Sequence, residues 1–384
     1  MIESFRLRNF KCFADASVPA SALTLLTGLN GAGKSSVLQG LLLLRQSFQQ
    51  GLLGLGRLAL NGDLVQLGTA QDALYGYAEE ELIGFDLLAK DQPLPRSWTF
   101  LYDKDADVLA TKAEGELDSA AHDFMVGSLE RMSLFSDSFQ YLCAERVGPR
   151  TSFATSDFLV SERRQLGVRG ELTAHFLSTF GKKQRVAPGP LRRTDAPSAD
   201  LLAQVEAWLD FISPGTRIQL TSHRAMDAVQ LGYQFVSGRD VTDVYRPTNV
   251  GFGLTYTLPI LVAVLSAAPG ALLLLENPEA HLHPRGQARM GELLALVASS
   301  GVQVILETHS DHLLNGVRIA VHDGHLAPES VRLHFFERKD AGDRTVHLIV
   351  SPRMDRDGRI DLWPAGFFDE WDAALDKLLE PGKR

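Results

Sequence analysis

The residues Thr27-Gly28-Leu29-Asn30-Gly31-Ala32-Gly33-Lys34-Ser35-Ser36 carry the most specific chemical signal in the chain. Within them, Gly28-x-x-x-x-Gly33-Lys34-Ser35 has the spacing of a Walker A phosphate loop. Glycines at these positions let backbone N–H groups close around phosphate oxygens, and a helix starting at the loop adds its positive dipole end. Asn30, Gly31, Ala32, Gly33, Lys34, Ser35 and Ser36 are the residues expected to line a bound ATP. Lys34 is expected at the β- and γ-phosphates and the Ser35 hydroxyl on Mg²⁺. A chance glycine turn would lack the flanks this motif has, a strand before it and an apolar helix after it.

A second set lies far downstream. Leu272-Leu273-Leu274-Leu275-Glu276 reads as a buried strand ending in a carboxylate. The run 302–306 reads as its parallel neighbour, ending in Glu307-Thr308-His309-Ser310. Open α/β sheets bind ligands at this carboxyl edge. Glu276 is therefore expected opposite the phosphate loop, holding Mg²⁺ through water together with Ser35, and His309 is expected to contact a γ-phosphate. Two metal clusters are conceivable from the same side chains: Glu276, Glu279, His281 and His283, or Glu307, His309, Asp311 and His312. Hard oxygen ligands beside a phosphate loop favour Mg²⁺ instead, and His281 and His283 read better as a structural turn.

The elements that must position these groups follow from periodicity. Phe5 and Leu7 alternate with Arg6 and Arg8 as in a half-buried strand, and residues 23–26 form a second strand leading into the loop. An apolar helix is expected from Val37 to about Phe48. Strand-like runs at 271–275, 302–306, 331–336 and 346–350, with helical patterns between the first three, predict a parallel α/β sheet. The uncharged stretch 254–275 is long enough to span a bilayer. Pro259 and the Pro269-Gly270 turn signal divide it into a buried helix, a turn and a buried strand.

The chain has 384 residues, 45% hydrophobic and 22% charged, with 38 Lys+Arg against 47 Asp+Glu and a net charge of −9. That excludes a disordered chain and argues against a dedicated nucleic-acid coat, which would be basic overall. Two cysteines, Cys12 and Cys143, cannot build a disulfide framework and suit a reducing compartment. The first residues lack an apolar signal-peptide core, so a cytoplasmic location is expected.

Charge reverses along the middle of the chain. Residues 61–123 hold 14 Asp+Glu and 4 Lys+Arg, a balance of −10, whereas residues 140–195 hold 10 Lys+Arg and 5 Asp+Glu, a balance of +5. The switch predicts an inserted region. The expected division is 1–80 and 236–350 for two halves of one head, 81–235 for an inserted lid or partner-binding region, and 351–384 for a tail. No sustained heptad pattern runs through 80–235, so a long coiled-coil arm is not expected. The basic run from Arg146 to Arg193 could hold nucleic-acid phosphates or be a solvated face. In the tail, Phe367, Phe368, Trp371, Ala374, Leu375 and Leu378 fit one helical face, expected to dock on the head.

On these residues the chain resembles the ABC-type ATPase heads of the SMC, RecF and OLD-like group. Residues 2–13 resemble that group's opening strand, Gly28–Ser36 its phosphate loop, and Glu276–Pro284 its Walker B strand and D-loop. Glu307-Thr308-His309-Ser310 is similar to its switch-histidine segment, and Asn249-Val250-Gly251-Phe252-Gly253 to its signature motif. More narrowly, Ala144–Arg150 and the Trp-Pro-x-Gly-Phe-Phe-Asp stretch 363–369 resemble a bacterial subfamily of AAA-type ATPases with no settled activity.

The resemblance implies an α/β P-loop NTPase of ABC-ATPase head type, with an inserted middle region and a C-terminal helical tail. It implies ATP and Mg²⁺ as cofactors and a homodimer with ATP sandwiched between protomers, Asn249, Gly251 and Gly253 facing the γ-phosphate in trans. Gln66 or Gln71 would serve as the Q-loop glutamine. Where the group has an aspartate followed by a catalytic glutamate, this chain has Glu276 and Asn277. An amide can position water but cannot accept its proton, so hydrolysis should be slow unless Glu279 replaces the base. The expected function is a slow dimeric ATP switch that controls an effector such as a nuclease in bacterial antiviral defence. The competing readings are a DNA-processing ATPase that binds nucleic acid directly, a non-hydrolysing nucleotide-gated scaffold, and a metal-dependent nuclease. No membrane association is expected.

Overall fold

The computed structural model describes residues 1–90, 92–111, 126–238, 240–342, 344–368 and 370–379. Two strand layers enclose the phosphate-loop helix. The first is an antiparallel sheet in the order β2-β1-β5-β6, from β1 (Ile2–Phe10), β2 (Phe13–Pro19), β5 (Leu82–Ala89) and β6 (Arg96–Leu101). A small pair, β4 (Arg57–Ala59) and β7 (Val108–Ala110), flanks it. Burial in β1 alternates as its sequence predicts, with Phe5 and Leu7 inside and Arg6 outside.

The central sheet has six strands in the order β16-β15-β3-β14-β13-β8. These are β3 (Leu23–Gly28), β8 (Gln140–Leu142), β13 (Leu272–Glu276), β14 (Gln303–Glu307), β15 (Val331–Asp340) and β16 (Thr345–Val350). All pairings are parallel except β15 with β16, where a hairpin returns. Because parallel strands are covered on both faces, β13 is leucine up to its terminal Glu276. Leu272 and Leu274 join the layer beneath α1 (Lys34–Gln49), whereas Leu273 and Leu275 join the opposite layer. That opposite layer contains α5 (Phe252–Ser266), α6 (Pro284–Ser299) and α7 (Asp311–His322). The uncharged stretch thus divides into α5, a turn and β13, and no described helix is long and apolar enough to cross a membrane.

The expected boundary at residue 81 does not fall at a structural division. β5 and β6 pair with β1 in the first layer, and β8 closes the edge of the central sheet. The remaining middle residues build a compact unit. β9 (Ser152–Ala154), β10 (Thr216–His223), β11 (Ala228–Ser237) and β12 (Asp240–Val241) form an antiparallel sheet. α3 (Thr173–Phe180) and α4 (Leu201–Ile212) pack between that sheet and α5, within the same hydrophobic core. Helix α2 (Ala70–Ala73) is a single turn in the loop before β5. Among the described residues the longest helices have 16 residues, so no long arm projects.

The tail corrects one expectation. Helix α8 (Glu370–Leu379) begins after the phenylalanines, and Leu375, Leu378 and Leu379 are exposed. Phe367 is instead buried before the helix, against Phe335, Trp363 and Phe368. The side chain of Trp371 and residue Asp369 lie outside the described residues.

Helices α6 and α7 follow β13 and β14 and pack against each other on one face of the central sheet. They cross at glycines. A Cβ on Gly316 would meet the Ala288 carbonyl oxygen at 1.9 Å, and one on Gly291 the Leu313 carbonyl at 2.1 Å. Helix propensity alone would make Gly316→Ala stabilising by about 1 kcal/mol. Overpacking against backbone should reverse the sign, to a loss of about 1–3 kcal/mol in urea unfolding.

Candidate nucleotide site

Strand β3 hands the chain to the phosphate loop at Gly28, where a side chain would strike the Phe336 carbonyl at 2.3 Å. Gly31 and Gly33 have φ of 73° and 112°, the left-handed region where glycine is favoured. Helix α1 starts with no side-chain cap and no acidic residue in its first turn, so its terminal N–H groups face the loop unpaired by side chains. Lys34 is only 3% exposed, and its ammonium donates to the Gly28 and Leu29 carbonyls at 3.0 and 2.9 Å. Burial holds its pKa below the usual lysine value. A pocket of about 520 Å³ opens over the loop, lined by Lys11, Asn30, Lys34, Ser35, Asp72 and Glu307 among others. Open glycine backbone, an uncapped helix end and a buried lysine are what a triphosphate requires.

The carboxylate nearest the loop is Glu307. Its Oε2 accepts from the Ser35 hydroxyl at 2.9 Å, and its Oε1 stands 3.7 Å from the Lys34 ammonium. Glu276 takes a different position from the expected one. Tyr141 on β8 donates to its Oε1 at 2.8 Å and the Ala144 N–H donates to its Oε2 at 3.0 Å, so it turns away from β3. Burial raises the pKa of Glu276 and, still more strongly, that of Tyr141, which remains a neutral donor. His309 lies half exposed, with Nε2 3.9 Å from Glu307 Oε1, and burial followed by the Lys34 charge lowers its pKa. His309 also lines a pocket of about 330 Å³ with Gly28, Leu29, Phe367 and Phe368, which brings the tail motif to the mouth of the loop.

The turn after β13 joins these parts. Asn277 has φ of 43°, and asparagine is among the few non-glycine residues that adopt this region readily. The backbone conformation therefore favours an amide here over a glutamate. Arg146, 1% exposed, donates to the carbonyls of Cys143, Glu276 and Asn277 at 3.1, 2.7 and 2.7 Å and lies over the Tyr256 ring. Glu279 Oε1 accepts from the Thr308 hydroxyl at 2.7 Å and the His309 N–H at 3.1 Å, tying the turn to the histidine segment. The Asn277 Oδ1 and Glu279 Oε2 atoms are buried without a hydrogen-bond partner. His283 caps α6, its Nδ1 accepting from Arg285 N–H at 3.3 Å.

Several expected residues fall elsewhere. Gln66 and Gln71 are exposed, and the pocket lining takes Asp72 and Leu74 from that loop. Among the described residues no group of three or more His, Cys, Asp or Glu side chains could hold a metal ion, which removes both conceived transition-metal clusters. Mg²⁺ remains compatible, because it needs one or two protein oxygens and completes its shell with phosphate and water. Asn249 and Gly251 lie exposed at the start of α5, and a Cβ on Gly251 would meet nothing within 4 Å. Gly253 does have a packing reason, since a Cβ there would meet the His281 carbonyl at 2.7 Å. Of the basic run, Arg163 pairs with Asp137, Arg169 with Glu145 and Arg193 with Asp195, and Arg164 lies over Phe180.

Comparison with known proteins agrees with this geometry. Residues 1–110 match an AAA ATPase domain family, and residues 161–315 match an AAA domain described as putative AbiEii toxin of a type IV TA system. Residues 326–378 match a family described as a protein of unknown function, DUF3696. The SMC head bound to the C-terminal winged-helix domain of ScpA has 15% identity and a TM-score of 0.53, covering 92% of this chain and 98% of that one. The Pyrococcus furiosus SMC head with an extended coiled coil, bound to the C-terminal domain of ScpA, has 14% identity and a TM-score of 0.53, covering 99% of each chain. No curated protein sequence matches the chain. The fold is that of an SMC-type P-loop ATPase head. Its segments 1–110 and 161–315 are similar to AAA-type ATPase domains, which supports nucleotide binding.

Burial raises the pKa of Glu279 above the ordinary carboxylate value. The folded state therefore holds this proton more tightly than the unfolded chain, and stability is lost as pH rises from the unfolded pKa through the folded one. Glu279→Gln removes that titration. Urea unfolding at about pH 5 and about pH 7.5 should show the variant gaining on the wild type at the higher pH. An unchanged difference would contradict the assignment.

Proposed function

We propose that this chain is a slow ATP hydrolase that dimerises around two ATP·Mg²⁺ and uses nucleotide state to control a partner protein in the bacterial cytoplasm. The observation that carries the reading is the buried Lys34 beside Ser35 and Glu307 at an uncapped helix start. Asn30, Gly31, Ala32, Gly33, Lys34, Ser35 and Ser36 bind the phosphates, and His309 stands at the loop mouth for the γ-phosphate. Asn249, Gly251 and Gly253 belong to the face presented to the second protomer. The exposed Gly251, with no intramolecular contact to demand a glycine, supports that role.

Mg²⁺, when bound, neutralises charge developing on the transferred phosphoryl group. The protein groups position the attacking water rather than deprotonate it. Asn277 has no basic oxygen, and the Glu279 carboxylate is turned onto Thr308 and His309. Phosphoryl transfer depends mainly on positioning and electrostatics, so turnover is slowed and not abolished. Control of an effector such as a nuclease in antiviral defence is the proposed biological setting. It is supported by the toxin-related description of the family matched over residues 161–315 and by the ScpA-bound state of the structurally similar SMC heads.

Steady-state ATP hydrolysis tests this reading. The wild type should turn over slowly and Lys34→Ala not at all. Asn277→Glu should raise kcat, at a backbone cost of about 1–2 kcal/mol in stability for the left-handed position. Wild-type turnover as fast as that of vigorous transport ATPases would overturn the reading.

A further inference from the structure

The β15–β16 hairpin lies within residues 326–378, the segment matched to a family of unknown function. It reaches the phosphate loop at two places. β15 pairs with β3 as far as Phe336 opposite Gly28, and the Phe336 carbonyl leaves no room for a side chain there. On β16, His347 shares a face with Ile349, which packs against the α1 layer. The Nδ1 atom of His347 stands 2.9 Å from the Ala32 carbonyl oxygen. We propose that His347 is a positioning residue for nucleotide binding, which fixes the Ala32–Gly33 peptide so that the Gly33 N–H meets a phosphate oxygen. This inference rests on the ATP-binding reading above.

Three observations carry it. The first is the bond itself. A carbonyl can only accept, so Nδ1 carries the proton and donates. Ala32 is fully buried, so water cannot reach its carbonyl to replace the imidazole. The second is the direction of the peptide. A trans peptide is planar, and its N–H points opposite to its C=O. With the Ala32 carbonyl turned to β16, the Gly33 N–H points away from the hairpin. Gly33 lines the pocket over the loop, whereas Ala32 and His347 do not. Donation to the carbonyl also polarises the peptide, which strengthens its N–H as a donor.

The third observation is the support behind the ring. Phe13 at the start of β2 meets His347 edge-on, with ring centres 6.1 Å apart and planes at 76°. The same phenylalanine lies so close to Gly33 that a Cβ there would meet it at 2.5 Å. Imidazole, phenyl ring and loop backbone therefore hold one another. Because His347 works through the loop and not on the reacting atoms, it should support ground state and transition state alike.

The test is calorimetric binding of a non-hydrolysable ATP analogue with Mg²⁺ to the full chain, with steady-state hydrolysis and urea unfolding on the same samples. His347→Phe keeps a ring against Phe13 and removes the donor. It should weaken the analogue about fivefold, and raise KM by a similar factor with kcat near the wild-type value. His347→Asn, whose amide N–H can replace that of Nδ1, should recover most of the affinity. If His347→Phe does not fold, His347→Leu takes its place as the variant without a donor. A role in packing alone would lower stability and the active fraction while leaving Kd and KM unchanged, and that result would overturn the inference. So would an asparagine variant that binds no better than the phenylalanine one. A wild type that binds no analogue would overturn the ATP-binding reading as well.

Discussion

A lysine ammonium and a glutamate carboxylate are held almost out of water where β3 and β14 end side by side. Burying charges is costly unless each is met by partners of good geometry. Here the loop carbonyls meet Lys34 and the Ser35 hydroxyl meets Glu307. The arrangement exists only because the two strands are parallel neighbours, which puts a phosphate loop and a carboxylate at one sheet edge. The strand pairing sets the register of that edge, and the leucine faces of β13 pack it between the α1 layer and the α6–α7 layer. A polar cluster that is satisfied without ligand, yet made of groups that phosphate and Mg²⁺ could each claim, is poised to respond to nucleotide.

Around this centre the structure couples segments that are far apart in sequence. Arg146 from the basic run clamps the turn after β13 through the Glu276 and Asn277 carbonyls and ties it to the Cys143 carbonyl after β8. Glu279 in that turn holds the Thr308-His309 backbone and hydroxyl. Gly253 at the start of α5 packs on the His281 carbonyl, and Tyr256 lies against the His281 ring. The exposed face at α5, the turn and the histidine segment are thus one packed unit. The orphaned Asn277 and Glu279 oxygens lie buried within it, where an ordered water would satisfy them.

Much of this was legible before the fold was known. The phosphate loop depends on local residue types at fixed spacing, so Gly28 to Ser36 could be read directly, as could the leucine strand and its glutamate. Strand order was not legible, because it is set by long-range packing. Two runs ending in glutamate look equivalent on paper, and only their contacts separate them, Glu307 on Ser35 and Glu276 on Tyr141 and Ala144. The residue-81 boundary failed for the same reason. A change of charge marks surface character, whereas β5 and β6 are assigned to the first layer by their pairing with β1. In the tail, the helical period was real, but Phe367 is buried before α8 begins and the leucines beyond it face solvent.

The most direct measurement is the mass of the full chain in solution, by sedimentation equilibrium, with ATP and Mg²⁺, with neither, and for Lys34→Ala under both conditions. The account predicts that ATP with Mg²⁺ brings the wild type to twice the mass of one chain and that Lys34→Ala shows no nucleotide effect. A wild type that binds ATP while its mass ignores the nucleotide would contradict the account.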